Sequence, residues 1–206
     1  MLPSFVEFTM KTKLVGGPGL VRELANELAD HDRVLVISDA QLVKLGLVRE
    51  VTEPLEEAGI EVVGVFSDVP PNSEVEVVMA GADFARARQY DALVAVGGGS
   101  VIDTAKAMNM VVATGQHLLD LQGLGILDEP LGPLVAIPTT AGTGSEVTSH
   151  AVIKDAGTST KLTFTSPHLA PDLAVIDPAM TRDLPPQLAA STGMDALTHA
   201  VEAYLS

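Results

Sequence analysis

The sequence predicts an α/β fold, a doubly wound parallel sheet, and three features support this prediction. Four short, nearly continuous apolar runs lie between Arg33 and Pro138, as is typical of strands buried on both faces of a parallel sheet. Amphipathic stretches with helical spacing alternate with these runs, and this order indicates right-handed βαβ crossovers. A glycine-rich turn also joins the third run directly to the amphipathic stretch that follows it.

The elements follow one another in a regular order up to Pro138. The predicted strands are 33–38, 61–67, 92–96 and 133–138, and the predicted helices are 20–29, 42–58, 74–88 and 101–112. Each strand is rich in Val, Ile, Leu and Ala, and each helical stretch has an apolar side and a polar side. A Rossmann-like sheet with helices on both faces is therefore expected.

The pattern changes after Val147. Segments 147–153 and 161–166 flank a turn sequence that contains Asp155, Ala156 and Gly157, which predicts a β-hairpin. A strand at 172–177 and a helix at 187–206 follow. Because no stop signal ends the helical pattern, we expect the chain to end within a helix and to be part of a longer protein.

Charge and cysteine content exclude several classes of function. The 206 residues include 12 Lys and Arg against 27 Asp and Glu, a net charge of −15. This charge repels nucleic acid and anionic lipid, so neither is an expected partner. The absence of cysteine excludes disulfides, zinc knuckles and thiol nucleophiles. With no secretion signal and no long apolar window, we expect a soluble, cytoplasmic protein.

The glycine turn predicts a site for an anionic ligand. Gly97, Gly98 and Gly99 lack a Cβ and allow a ligand to approach the backbone. Ser100 and Asp103 have the spacing of a capping box, and the free amides of the new helix favour an anion such as a pyrophosphate. The alternative is that the glycines only form a tight turn and Asp103 only caps the helix.

Asp39 follows the first strand of the sheet at its carboxyl end, where α/β sheets bind ligands. Its carboxylate could accept hydrogen bonds from a ribose and would repel a 2′-phosphate. The alternative is that Asp39 is the N-cap of the next helix. The acid precedes the glycines here, so the order differs from the usual dinucleotide fingerprint.

A second polar loop follows the strand that ends at Pro138. Its hydroxyl side chains are Thr139, Thr140, Thr143 and Ser145. These groups are expected at the same edge of the sheet as the glycine turn, where they could contact the other face of a nucleotide. The alternative is a polar loop without a ligand.

Asp195 and His199 are four residues apart on the last helix and therefore share one face. A carboxylate oxygen and an imidazole nitrogen suit Fe²⁺ or Zn²⁺. Two ligands do not complete a catalytic site, and the alternative is an ordinary surface pair. His150 and His168 are interpreted as structural.

Four long segments resemble the iron-containing (group III, metal-dependent) alcohol dehydrogenase family, which is related to glycerol dehydrogenase and dehydroquinate synthase. They are GGGSVIDTAK (97–106), IPTTAGTGSEVT (137–148), KLTFTSPHLAPDLAVIDP (161–178) and LPPQLAASTGMDALTHAVEAYLS (184–206). They occur in the family's order and cover essentially the whole chain. The resemblance implies an NAD-binding α/β domain at 1–183 and the start of a C-terminal helical metal-binding domain at 184–206.

The resemblance also implies roles for individual residues. The cofactor-binding set would be Asp39, Asn72, Gly97, Gly98, Gly99, Ser100, Asp103, Thr139, Thr140, Thr143, Ser149 and Lys161, and the metal ligands would be Asp195 and His199. Within this set, Asp39 would contact the adenosine ribose and favour NAD over NADP. Ser149 and Lys161 would lie near the nicotinamide ribose.

The activity implied is hydride transfer between a primary or secondary alcohol, held by Fe²⁺ or Zn²⁺, and the nicotinamide of NAD. The family takes two further histidine ligands from residues beyond this sequence, so we expect the segment alone not to turn over alcohol. A homodimer or larger assembly is implied as well. The alternatives are a dehydroquinate-synthase-like or glycerol-dehydrogenase-like member and a nucleotide-binding module without catalysis.

Overall fold

The computed structural model describes residues 10–124 and 127–205. The strands are β1 (Lys13–Gly16), β2 (Arg33–Ile37), β3 (Glu61–Phe66), β4 (Ala92–Gly97), β5 (Gly123–Leu124), β6 (Leu134–Pro138), β7 (His150–Asp155), β8 (Thr160–Thr165) and β9 (Leu173–Ile176). The helices are α1 (Leu24–Glu27), α2 (Ala40–Lys44), α3 (Leu47–Glu57), α4 (Val75–Arg86), α5 (Gly99–Thr114) and α6 (Pro186–Leu205). Short 3₁₀ turns occupy Leu20–Glu23, Leu118–Leu121, Pro167–Leu169 and Pro178–Thr181.

A six-stranded sheet forms the centre of the molecule, in the order β1-β9-β6-β4-β2-β3. All five of its strand pairings are parallel. A separate three-stranded sheet has the order β5-β8-β7, with β7 and β8 antiparallel. The predicted doubly wound sheet and the predicted hairpin are therefore both confirmed.

The central strands separate two hydrophobic cores. Leu35 and Leu93 pack on one face with α4 and α5, whereas Val34 and Val94 pack on the other face with α3. Successive side chains of a strand point to opposite faces, so a strand with a core on each side must be apolar throughout. This requirement explains the continuous apolar runs.

Helix α5 is buried along most of its length, from Val101 to Val111. It packs against β4 and β6 of the sheet, against α4 and against β7. Small and apolar residues therefore surround it, and its two charged side chains, Asp103 and Lys106, are buried as well.

The sequence predictions miss two strands and the continuity of two helices. The strands β1 and β5 were not predicted, and segment 20–29 forms a 3₁₀ turn followed by the one-turn helix α1. The single helix predicted at 42–58 is wrong, because Gly46 adopts a left-handed φ of 83° and separates α2 from α3. The remaining predicted elements are present, although the N-terminal stretch 1–9 and Ser206 lie outside the described residues.

Within the part of the chain that the structure describes, none of the helices is both long and apolar enough to cross a membrane.

The close approach of β4 to α5 gives a test of the packing. A Cβ added to Gly97 would lie 2.5 Å from the Cβ of Val101. We expect Gly97→Ala to lower the free energy of unfolding by about 1–3 kcal/mol through overpacking, as measured by urea denaturation. Gly193→Ala is the matched control, because its Cβ would meet open space on α6. Equal effects of the two substitutions would contradict this account.

Candidate functional site

A cleft of about 750 Å³ lies at the carboxyl end of the sheet, between the N-terminus of α5, the β7–β8 hairpin and α6. Its lining residues are Asn72, Ser73, Gly99, Ser100, Asp103, Gly142, Thr143, Gly144, Ser145, Thr148, His150, Val152, Lys154, Lys161, Asp195 and His199. Ligands of open α/β sheets bind at this edge. Several of the predicted cofactor residues and both predicted metal ligands therefore share one cleft.

The glycine turn and the second polar loop are in direct contact. The Thr139 amide donates to the Gly97 carbonyl at 3.1 Å. A Cβ at Gly98 would lie 3.0 Å from Thr140 Oγ1, and a Cβ at Gly99 would lie 2.9 Å from Thr143 Cγ2. The prediction that the two loops converge is confirmed, and the close approach explains why side chains are absent from the turn.

The predicted capping box is wrong. The N-cap of α5 is Gly98, and no side chain caps this end of the helix. The Ser100 hydroxyl instead accepts from the Asn72 amide at 3.1 Å, and the Asp103 carboxylate accepts from the Val152 amide at 2.9 Å. Helix α5 begins at Gly99, one residue before Ser100. Because no side chain caps it, the backbone amides of its first turn stay open to the cleft, where they could bind an anion.

Two buried polar atoms at the cleft have no hydrogen-bond partner among the described residues. They are Ser73 Oγ and Asp103 Oδ1, and both residues line the cleft. A buried polar group without a partner costs about 1–3 kcal/mol. A ligand that offers hydrogen-bond donors and acceptors at this point would remove that cost, so the cleft fits a polar cofactor.

Lys106 is a buried cation that sequence reasoning did not single out. It is 0% exposed, and its ammonium donates to the carbonyls of Thr148 and His150, each at 2.7 Å, and to Thr148 Oγ1 at 3.3 Å. Burial lowers its pKa to about 8, although Asp103 and Glu146 oppose this shift. Burial also raises the pKa of Asp103, against the opposing effects of Lys106, the Val152 amide and Ser145.

Asp39 is the N-cap of α2, as its alternative interpretation predicted. Its Oδ1 accepts from the amides of Gln41 and Leu42, each at 2.9 Å. The residue lies at the carboxyl end of β2, where its backbone forms an isolated antiparallel bridge with Asp68. Its predicted contact with a ribose stays a prediction.

The hairpin supplies two lysines to the cleft. Lys154 of β7 and Lys161 of β8 are directly opposite each other in the antiparallel register. Lys154 forms an ion pair with Glu74 at 2.7 Å. Like charges placed opposite each other on neighbouring strands repel, and Glu74 reduces this repulsion. Ser149 precedes β7 and accepts from the Ser166 amide through its carbonyl at 3.1 Å.

Asp195 and His199 face the cleft from α6. His199 Nε2 lies 3.9 Å from Asp195 Oδ1, and His199 Nδ1 lies 3.0 Å from the Gly142 carbonyl. Their donor atoms fit iron or zinc, but among the described residues no group of three His, Cys, Asp or Glu side chains could hold a metal ion. A catalytic metal site built on this pair would need at least one further protein ligand.

Helix α6 reaches the polar loop because Gly142 leaves room for it. Gly142 has a φ of 109°, and a Cβ at this position would lie 2.3 Å from the Thr192 carbonyl oxygen. A larger residue would be strained in its backbone and would collide with the helix. The approach of Asp195 and His199 to the cleft thus depends on Gly142.

Several cleft residues were missed from the sequence. Ser73, Thr148, His150 and Lys154 line the cleft but have no distinctive spacing. His150 had been interpreted as structural, and its ring bonds to Thr165 Oγ1 at 2.9 Å while it faces the cleft. The pairing of β7 with β8 and the packing of β7 on α5 bring His150 and Lys154 to the site.

The fold and its cleft define a Rossmann-like parallel α/β domain, with its candidate ligand site at the carboxyl ends of the strands. A family model described as iron-containing alcohol dehydrogenase matches residues 11–178. The chain belongs to the iron-containing alcohol dehydrogenase family.

Individual relatives agree with this membership. The chain is 41% identical over 192 residues to NAD-dependent methanol dehydrogenase of Bacillus methanolicus. This alignment covers 92% of this chain and 50% of that protein. It is 44% identical over 190 residues to long-chain-alcohol dehydrogenase 1 of Geobacillus thermodenitrificans (strain NG80-2), covering 91% of this chain and 47% of that protein. The chain spans about half the length of these curated relatives.

A solved structure shows the same fold. The crystal structure of 1,3-propanediol oxidoreductase matches with a TM-score of 0.89 and 38% sequence identity, over 98% of this chain and 53% of that one.

The buried Lys106 predicts a pH dependence of stability. Between its folded pKa of about 8 and its ordinary value of 10.5, the unfolded chain binds more protons at this residue than the folded chain does. Stability from this residue therefore rises with pH across the window. We expect the difference in unfolding free energy between wild type and Lys106→Met to shift in favour of wild type over this range. A difference that does not vary with pH in urea denaturation would contradict the prediction.

Proposed function

We propose that this chain is the dinucleotide-binding part, with two metal ligands, of an NAD(H)-dependent alcohol dehydrogenase. The observation that supports this best is the placement of Asp195 and His199 across one cleft from the glycine turn of α5. A dinucleotide on the turn would bring its reactive end toward α6. Hydride transfer needs this arrangement, because the substrate carbon and the nicotinamide must be adjacent.

The proposed cofactor is NAD, and the roles of its site follow from the geometry. The open amides at the start of α5 would bind the pyrophosphate, and Gly97, Gly98 and Gly99 would leave room for it. Asp39 would accept from the adenosine ribose, which directs the nicotinamide half toward the hairpin. The remaining proposed contacts are Asn72, Ser100, Asp103, Thr139, Thr140, Thr143, Ser149 and Lys161.

The cleft holds its anionic cofactor on a chain whose net charge is −15. Backbone amides and threonine hydroxyls carry much of the binding, since few cations are available. Lys161 is the exposed cation on the hairpin wall, and Lys154 is partly neutralised by Glu74. Lys161 would therefore donate to the ribose or phosphate oxygens near the nicotinamide end.

Asp195 and His199 would hold Fe²⁺ or Zn²⁺ together with ligands beyond the described residues. Such an ion supplies Lewis-acid polarisation of the alcohol oxygen near neutral pH. The cleft residues then orient the alcohol carbon toward the nicotinamide and limit the access of water. The substrate class proposed is a small primary or secondary alcohol and its aldehyde or ketone.

We further propose that residues 1–183 form the NAD-binding domain and that 184–206 begin a helical metal-binding domain. A homodimer or larger assembly in the cytoplasm is proposed from the family resemblance.

Cofactor binding tests the proposal directly. We expect the chain to bind NADH, which can be followed by the fluorescence of the reduced nicotinamide. Gly99→Leu should abolish binding, because its side chain would fill the space beside Thr143. The control is Gly193→Leu on α6, because Gly193 is outside the cleft lining and a Cβ there meets open space. Failure of the wild-type chain to bind NADH would overturn the proposal.

Cofactor choice tests Asp39. We expect Asp39→Ser to tighten NADPH binding relative to NADH by about tenfold or more, because it removes the charge that repels a 2′-phosphate. Serine is chosen because it still accepts a hydrogen bond at the N-cap, so α2 keeps its cap. The ratio of the two dissociation constants is the measurement. If this ratio does not change, Asp39 does not contact the ribose.

Loss of a ligand tests the metal pair. In the whole protein supplied with Fe²⁺ or Zn²⁺, we expect His199→Ala to abolish alcohol-dependent NADH formation, since it removes one of the metal's ligands. Its dissociation constant for NADH should stay within about twofold of wild type. The matched control, His168→Ala, alters a histidine outside the cleft lining. Full activity of the His199 variant would contradict the assignment.

A further inference from the structure

Among the residues that the structure describes, no strand pairs with the outer edge of β7. In the sheet order β5-β8-β7, this strand is at the end. An edge strand presents unpaired N–H and C=O groups, which are costly when they are buried. Here, that edge faces α5 rather than solvent, because α5 packs directly against β7.

Side chains of α5 replace the missing strand. Lys106 donates to the His150 carbonyl at 2.7 Å, and Asp103 Oδ2 accepts from the Val152 amide at 2.9 Å. Two residues after Val152 on the same strand, the Lys154 amide donates to the Ser73 carbonyl at 2.9 Å. One edge group of each of residues 150, 152 and 154 is thus paired, and two of these three pairings come from one turn of α5.

Lys106 uses its full capacity in this arrangement. An ammonium group has three donors, and three acceptors surround it: the carbonyl and hydroxyl of Thr148 and the carbonyl of His150. Burying a charge is unfavourable unless it is well hydrogen-bonded. An apolar side chain could fill the same space without that cost, but it would leave both carbonyls without this donor.

Lys106 does not touch the cleft, whereas the residues it holds do. Thr148 and His150 line the cleft. His150 is the first residue of β7, and the same strand carries Lys154 opposite Lys161 of β8. The same helix presents the glycine turn at its N-terminus, less than two turns before Lys106. The distance between the two walls of the cleft therefore depends on how this one helix holds β7.

We propose that Lys106 is a positioning residue that fixes the hairpin wall of the cleft at the distance from the glycine turn that a bound dinucleotide requires. The identity of the ligand rests on the proposed function. The effect is confined to the hairpin end, because the adenosine end, beside Asp39, is built from β2 and α2. Lys106 thus controls affinity for the nicotinamide half of the cofactor and leaves affinity for the adenosine half unchanged.

The test compares NADH with AMP, which lacks the nicotinamide half. We expect Lys106→Met to raise the dissociation constant for NADH by about tenfold or more. The dissociation constant for AMP, measured by calorimetry, should stay within about twofold. Lys13→Met is the matched control, because Lys13 starts β1 at the amino end of the sheet, and it should change neither constant.

Two outcomes would overturn the proposal. Unchanged NADH binding by Lys106→Met would show that the hairpin wall does not need this residue. An equal loss of NADH and AMP binding would show that Lys106 supports the fold as a whole and does not position one wall. Failure of the wild-type chain to bind NADH would instead count against the proposed function, and the following measurement would then decide the role of Lys106.

Hydrogen exchange tests the same role without a ligand, and with a milder variant if Lys106→Met does not fold. Lys106→Gln keeps an amide donor but is shorter, so its hold on the two carbonyls should be lost. We expect faster amide exchange confined to residues 141–155 in this variant, with the protection of β2, β4 and β6 retained. Uniformly faster exchange, or no change in 141–155, would overturn the proposal.

Discussion

The structure depends on the burial of α5 between two layers. On one side the helix covers the parallel sheet, and on the other it carries the β7–β8 hairpin. A helix enclosed in this way must be apolar almost all round, since a polar side chain would be buried without water. Asp103 and Lys106 are the charged exceptions, and both bond to the hairpin, so the buried charges of α5 attach the second layer to the first.

The charge of the chain constrains how it can bind an anion. With 27 acidic against 12 basic residues, a general positive field is not available. The proposed cofactor site uses local features instead: open amides at the start of α5, hydroxyls of the second loop and the hairpin lysine Lys161. Amides fixed at a helix N-terminus need no reorganisation to bind a phosphate, because the fold already points their N–H groups toward the cleft. A strongly acidic surface and an anionic ligand are therefore compatible.

Particular elements show where sequence patterns are informative. The strands around β4 could be predicted because burial on both faces demands continuous apolar runs. The hairpin could be predicted because alternation and a turn sequence are local properties. By contrast, the capping box at Ser100 and Asp103 was wrong, although its spacing was suitable, because Asn72 and Val152 compete for these side chains from distant parts of the chain. The helix predicted at 42–58 was wrong at Gly46, where a left-handed backbone interrupts an otherwise helical pattern.

Local sequence patterns were enough to predict the fold class, the glycine turn, the second polar loop and the pairing of Asp195 with His199 on one helix face, because each depends on residues close together along the chain. The folded chain was needed to show that Asp195 and His199 share one cleft with these two loops and that Gly142 admits α6 to it. It also decided that Lys106, an unremarkable lysine in the sequence, holds the opposite wall. Burial and tertiary hydrogen-bond partners depend on contacts between residues far apart along the chain, such as Lys106 with Thr148 and His150, and no local pattern encodes which distant group will satisfy a buried charge.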